Sequence, residues 1–344
     1  MSQRPYTPEL FLQQATRHPV FDVRTPSEFR KGHIPGARNL PLFSDEERHE
    51  IGLLYKQQGR EPAVLRGLEM VGPRLTEYIR QVQAVTDSRQ VLVHCWRGGM
   101  RSASLAWLLG QVGYRVGLLQ GGYKAYRKCV LADYEKPLQL LVLGGMTGSG
   151  KTEILHSLQQ RGQQVLDLEG LACHRGSAFG ALDDVEQPTT EQFENDVHAV
   201  LQTLQPEQPI WVEDESRRIG SVIVNDGLFR QMRNAPLVCI HVSREARVER
   251  LCNDYGSVSP EKLAGAVSNI SKRLGGEKTR LALQAIADGD YATATHAVLD
   301  YYDKTYLYGI SKRNPDRVMD LDPTPESPGA IAAALGKIAR DVQL

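Results

Sequence analysis

Short apolar runs alternate with amphipathic stretches along most of the chain. In the first third, PVFDV (19–23), QVLVHC (90–95) and RVGLLQGG (115–122) are apolar and β-branched, and too short for buried helices, so they predict strands. RTPSEF after the first is a turn into a helix start, GHIPGARNLP (32–41) is Gly/Pro-punctuated loop, and charged, helix-favouring sequence fills most of 44–85. RSASLAWLLGQVG (101–113) has helical spacing. After RKCVLADYEKP (127–137), which reads as a connection, the alternation resumes. LQLLVLGG (138–145), QQVLDLEG (163–170), QPIWVEDES (208–216), APLVCIHVS (235–243) and DRVMDLD (316–322) predict strands. Helices are predicted over 151–161, in REARVERLC (244–252) and in PGAIAAALGKIARDV at the end. Between 259 and 312 the pattern is helical and richer in basic and tyrosine residues. Strands alternating with helices imply an α/β class with parallel sheets. The expected division is a first domain over 5–130, a linker over 131–137, and a second domain over 138–344 carrying a helical insertion at about 259–312.

Composition changes this picture little. A length of 344 residues suits two domains, and a formal net charge of zero removes any global pull toward nucleic acid, leaving only local basic patches. Five cysteines, an odd number without CxxC spacing, suit neither a disulfide framework nor a zinc site and point to a reducing compartment. No signal-like N-terminus and no apolar run of about 20 residues occur, so the expectation is a cytoplasmic protein with no membrane partner.

Candidate chemistry concentrates in two loops. In HCWRGGMRS (94–102), Cys95 follows a buried strand and precedes a helix, where backbone N–H groups converge and favour a thiolate or a bound anion. Arg97 and Arg101 add positive charge, and Gly98 and Gly99 let the backbone curl. With FDVRTPSEFRKGHIPGARNLP before this loop and LLQGGYKAY after it, the first third resembles a rhodanese domain. The resemblance implies that Cys95 carries sulfur or selenium as a persulfide or perselenide. It leaves Asp22, Arg24, Glu28, His33 and Gly36 as scaffold. One departure stands out. Five residues separate Cys95 from Arg101, whereas the usual sulfurtransferase loop has four, and the longer loop matches the related phosphatases that wrap a tetrahedral phosphate. A phosphate-bearing chalcogen donor such as selenophosphate, or a phosphate ester, is the expectation.

The second loop, GMTGSGKT (145–152), satisfies G-x-x-x-x-G-K-[ST] between a strand and a helix. Its backbone around Gly145, Thr147, Gly148, Ser149 and Gly150 is expected to embrace a diphosphate, with Lys151 as counter-charge and Thr152 placed to hold Mg²⁺. Glu213 and Asp214, ending a later strand, suit a metal- or water-binding carboxylate or a solvated turn. His174, Arg175 and Ser177 in DLEGLACHRGSAFG either face an anionic or RNA substrate or belong to a glycine-rich connection. No NKxD base-recognition motif is present.

The order HCWRGGMRS, GGMTGSGKT, DLEGLACHRGSAFG resembles the tRNA 2-selenouridine synthase family across nearly the whole chain. That resemblance implies replacement of sulfur by selenium in wobble 2-thiouridine of tRNA. Geranyl diphosphate would first alkylate the sulfur, and selenophosphate, from a supplying enzyme, would then provide selenium; no organic cofactor is implied. The segments SKRLGGEKTR (271–280) and DYYDKTYLYGISKR (300–313) offer Lys272, Arg273, Lys312 and Arg313 to RNA phosphates and tyrosines to unpaired bases, or else form helices that bury those tyrosines. Three rivals remain at this point: a P-loop kinase or NTPase with a regulatory rhodanese module, a phosphatase built on Cys95 and Arg101, and a non-catalytic RNA-binding protein, which would leave two reactive loops unexplained.

Overall fold

In the computed structural model, residues 4–174, 185–255, 258–323 and 327–341 are described, and the chain divides into two compact units, Met1–Asp133 and Tyr134–Leu344. The first unit is organised around a five-stranded, all-parallel sheet in the order β1-β5-β4-β2-β3. Its strands are β1 (Arg4–Tyr6), β2 (Val20–Asp22), β3 (Arg38–Asn39), β4 (Gln90–His94) and β5 (Arg115–Leu119). Its helices are α1 (Pro8–Ala15), α2 (Pro26–Lys31), α3 (Asp45–Gln58), α4 (Arg60–Val71), α5 (Leu75–Val85), α6 (Met100–Gln111) and α7 (Gly122–Asp133). Val91, Leu92 and Val93 of central β4 are fully buried, which is why that segment reads as an unbroken apolar run. RTPSEF forms the predicted start of α2: Thr25 and Glu28 make a reciprocal capping box, with Pro26 at the first helical position.

Residues 127–133, read from the sequence as connection, are helical instead. Val130 is fully buried in the last turns of α7, which ties this stretch to the first unit.

The second unit repeats the plan with a parallel sheet in the order β12-β11-β6-β8-β7. The sheet strands are β6 (Leu140–Gly145), β7 (Gln164–Leu166), β8 (Ile210–Glu213), β11 (Leu237–Ile240) and β12 (Val318–Leu321); β9 (Arg218–Ile219) and β10 (Val222–Ile223) form a separate antiparallel pair. Two helices, α8 (Lys151–Gln160) and α17 (Pro328–Asp341), cover one face, burying Ile154, Leu155, Leu158, Ile331 and Leu335 against Leu141, Leu143, Trp211 and Val238. Between them in the chain lie α9 (Leu168–Leu171), α10 (Thr190–Leu201) and α11 (Asp226–Asn234). The helical insertion comprises α12 (Arg244–Tyr255), α13 (Pro260–Asn269), α14 (Ser271–Leu274), α15 (Gly276–Ala287) and α16 (Tyr291–Ile310), packed around Leu263, Val267, Ala282, Ile286 and Leu299. Among the described residues no helix is long and apolar enough to cross a membrane.

Candidate active sites

Cys95 sits at the carboxyl end of β4, where the open side of a parallel α/β sheet collects its ligands. The side chain is nearly covered (3 % exposed) and the loop closes around its sulfur. The Gly99 N–H donates to Sγ at 3.3 Å, and the Ser102 hydroxyl of α6 lies 3.2 Å from it. The loop is held from behind by the start of α7, where Tyr123 and Lys124 donate backbone N–H groups to the carbonyls of Cys95 (2.9 Å) and Trp96 (3.0 Å). Gly98 adopts φ +66°, and a Cβ there would stand 2.8 Å from the Leu119 carbonyl oxygen, so no other residue fits without strain. Gly99, by contrast, has room for a side chain.

The two loop arginines are unlike. Arg97 is exposed. Arg101 is clamped bidentately by Glu28, at 2.6 and 3.2 Å. Burial pushes the Glu28 carboxyl up, but the Arg101 guanidinium outweighs it and holds the group below its ordinary value. Glu28 therefore anchors the charged end of the cysteine loop. Beneath lies a buried Asp22–Arg24 pair at 2.6 Å, with the Arg24 guanidinium 3.7 Å above the Tyr123 ring centroid. Burial raises the His94 cost of charging and pushes its imidazole down, so the ring next to Cys95 is neutral.

The phosphate loop runs from the end of β6 into α8. Lys151 Nζ donates to its own loop's Gly145 carbonyl at 3.0 Å. Gly150 has φ +79°, and a Cβ would lie 2.9 Å from the Arg250 guanidinium carbon. Around the loop several polar groups lack partners: Ser149 Oγ, Glu213 Oε2 and Arg247 Nε are buried and unbonded among the described residues. An acidic crescent faces Thr152, whose hydroxyl donates to Glu169 at 3.2 Å, while the Glu169 N–H donates to Glu213 at 2.7 Å. Burial, then the charges of Asp167 and Glu169, push the Glu213 carboxyl up to about 8. Glu215 is pushed well above its ordinary value by burial and Glu169. Crowded carboxylates with an unbonded oxygen are groups whose charge a divalent cation would neutralise, so Thr152, Glu169 and Glu213 fit Mg²⁺.

Sequence reading missed the cover of this loop. Arg244, Arg247 and Arg250 recur at three-residue spacing on α12, and two of them reach the loop: Arg247 donates to the Thr147 carbonyl (3.2 Å) and Arg250 to the Gly148 carbonyl (2.9 Å). Arg247 is also held bidentately by Asp303 at 2.8 and 3.0 Å. The motif R-x-x-R-x-x-R after an apolar strand was the available signal.

Two expectations change. Asp214 does not join the acidic crescent, because Arg313 takes its carboxylate at 2.5 Å. Arg313 in turn is buried (2 % side-chain exposure) and donates to the Met232 carbonyl at 3.0 Å, so it is structural rather than an RNA contact. Lys312 is exposed and lines a recess of about 500 Å³ with Arg233, Asn314 and Arg317. Lys272 and Arg273 are exposed on α14. Tyr301 and Tyr302 pack on the core of the insertion, and Tyr306 points to β6, whereas Tyr308 is exposed beneath the Lys312 ammonium, 4.8 Å from its ring centroid. His174 is partly buried, and burial pushes its imidazole down. Arg175 and Ser177 lie outside the described residues.

Comparison with known proteins matches residues 7–129 to the rhodanese-like domain and residues 138–324 to the tRNA 2-selenouridine synthase AAA domain. The chain is 33% identical to the tRNA 2-selenouridine synthase of Nitrosomonas europaea, covering 86% of this chain and 90% of that protein. It is 37% identical to that of Bordetella bronchiseptica, covering 87% and 89%. Among solved structures, a rhodanese-related protein from Thermoplasma volcanium aligns at 18% identity with a TM-score of 0.24, over 36% of this chain and 91% of that one.

Proposed function

The chain belongs to the tRNA 2-selenouridine synthase family, and on that premise we propose that it replaces sulfur by selenium in the wobble 2-thiouridine of tRNA, in the cytoplasm, by two steps served by two loops. In the first, the thiocarbonyl sulfur attacks C1 of geranyl diphosphate; an S–C bond forms, the C1–O bond breaks, and diphosphate leaves with the electron pair. The phosphate loop receives that leaving group. Lys151 exchanges its carbonyl partner for a phosphate oxygen, Arg247 and Arg250 stand over the same loop, and the charge that develops is met by donors already in place. Mg²⁺, held by Thr152, Glu169 and Glu213, would add charge neutralisation to the departing diphosphate. In the second step selenophosphate, held at the Cys95 loop, forms a Se–C bond to C2; the C2–S bond breaks and the sulfur departs as geranyl thiol, and water then cleaves the P–Se bond, releasing phosphate and leaving selenium on C2. Alkylation is what makes the sulfur able to leave.

The observation that supports this most is the coexistence, in one chain, of a loop closed around a sulfur and a loop with unbonded groups around a phosphate-sized turn. Both steps require an unstacked base, which a wobble nucleotide in an anticodon loop can supply. The test is nucleoside mass spectrometry of tRNA bearing 2-thiouridine after incubation with the protein, geranyl diphosphate and selenophosphate. Selenouridine should appear, and omission of geranyl diphosphate should prevent it. ATP turnover without change in tRNA would favour the kinase or NTPase rival instead.

A further inference from the structure

The edge of the second sheet brings together three metal-binding side chains that neither loop uses. Cys239 lies on β11 and His241 two residues further on, so both side chains share one face of the extended chain. The ladder continues past the strand end, because the His241 N–H donates to the Leu321 carbonyl at 3.0 Å. Asp320 on β12 is the parallel register partner of Cys239 and rises on the same face. As a result the sulfur, an imidazole nitrogen and a carboxylate oxygen all lie within 4.8 Å of one another. His241 Nε2 and Asp320 Oδ1 are 2.7 Å apart. Cys239 is buried, while His241 and Asp320 are 42% and 67% exposed, so sulfur forms the floor and the other two the rim.

We propose that Cys239, His241 and Asp320 bind a divalent ion of the zinc class, with a fourth coordination position left open. Bonds of about 2.0–2.3 Å in a tetrahedral site put ligand atoms roughly 3.3–3.8 Å apart. With all three atoms within 4.8 Å, the triplet reaches that spacing by small side-chain movements, including a slight opening of the His–Asp pair from 2.7 Å. One thiolate, one imidazole and one carboxylate is a borderline-soft donor set, which selects zinc over Mg²⁺. The site is therefore distinct from the all-oxygen crescent at Thr152. It is nevertheless close to the phosphate loop: Cys239 is also the register partner of Gly144 on β6, and the Tyr306 hydroxyl, 3.5 Å from Sγ, stands over Gly144. A mere surface His–Asp pair would need no cysteine beneath it. Burial pushes the Cys239 thiol up, so the metal-free site holds a neutral thiol and the ion displaces its proton as the sulfur–metal bond forms.

This inference goes beyond the selenouridine reading and does not depend on it, since its test uses no tRNA, diphosphate or selenium. Full-length reduced protein, stripped with a chelator, is titrated with Co²⁺ alone. A sulfur-to-cobalt charge-transfer band and tetrahedral d–d bands should saturate at one equivalent and disappear on adding Zn²⁺. Cys239→Ser should lose the charge-transfer band, and Cys95→Ser should keep it. His241→Ala, at an exposed position that leaves folding intact, should weaken Co²⁺ binding by at least the ~10-fold that loss of a merely ligand-orienting group costs. Absence of the band in the wild-type protein, or its survival in Cys239→Ser, overturns the proposal.

Discussion

The loop after β4 and the loop after β6 both leave a buried parallel strand and run into a helix N-terminus, but they treat their polar groups differently. Around Cys95 the loop has its partners in place: a backbone N–H on Sγ with the Ser102 hydroxyl beside it, Arg101 on Glu28, and two carbonyls capped by α7, although both ring nitrogens of the preceding His94 are buried and unbonded among the described residues. Around the phosphate loop Ser149 Oγ and Glu213 Oε2 are unbonded among the described residues, the loop lysine turns back on its own backbone, and burial, with neighbouring carboxylates, pushes Glu213 and Glu215 up. On the proposed reading, a loop that holds one small donor can be finished before that donor arrives. A loop that takes a large anion holds groups whose cost is offset only when the ligand binds.

Lys151→Ala separates the loops most sharply. Geranyl transfer should fall by about a thousandfold, as for loss of a donor to developing charge, while tRNA geranylated beforehand is still selenated. Equal loss of both rates would mean that the loops do not divide the work.

The next effect concerns Lys312 and Arg313, alike in sequence and unlike in the structure. Arg313→Ala should cost about 2 kcal/mol of stability in denaturant melts, because it leaves buried Asp214 with only the longer Arg233 contact at 3.6 Å. Lys312→Ala should leave the melt unchanged and, if tRNA phosphate sits in its recess, lower the salt slope of tRNA binding by about 0.7. A melt in which Lys312→Ala is the more damaging would reverse this assignment.

Gly98→Ala places a side chain at positive φ against the Leu119 carbonyl and should cost roughly 2 kcal/mol. Selenation should fall and geranylation should not, as seen by nucleoside analysis beside a thermal melt.

The smallest effect is a pH slope. Glu213 holds its proton to about pH 8 when folded, well above its value when unfolded, so the folded state binds more protons between the two values and stability declines as pH rises toward 8. Glu213→Gln removes that decline. The variant should gain on the wild type in melts at pH 8 and converge with it near pH 5, and a constant difference would assign the proton elsewhere.

Much of this was readable from sequence where local pattern and tertiary role agree. QVLVH and LLVLGG are strands because both faces are covered, and the glycine–lysine loop announces itself through its own backbone demands. What escaped depends on partners distant in the chain. Glu28 reaches Arg101 across 73 positions, and Arg250 reaches Gly148 across 102. Asp214 reads from sequence as a metal-binding carboxylate or a solvated turn, and Arg313 as an RNA contact or part of a structural helix, and only the fold shows that they pair with each other. The three residues of β1 carry no periodicity to detect, and α7 is not legible because its charged surface hides the buried Val130.

The division of labour is tested most directly by the product that Cys95→Ala leaves on tRNA. With geranyl diphosphate and selenophosphate both supplied, nucleoside mass spectrometry should find S-geranyl-2-thiouridine accumulating and no 2-selenouridine. Selenouridine at the wild-type level, or no geranylated nucleoside at all, would contradict the account.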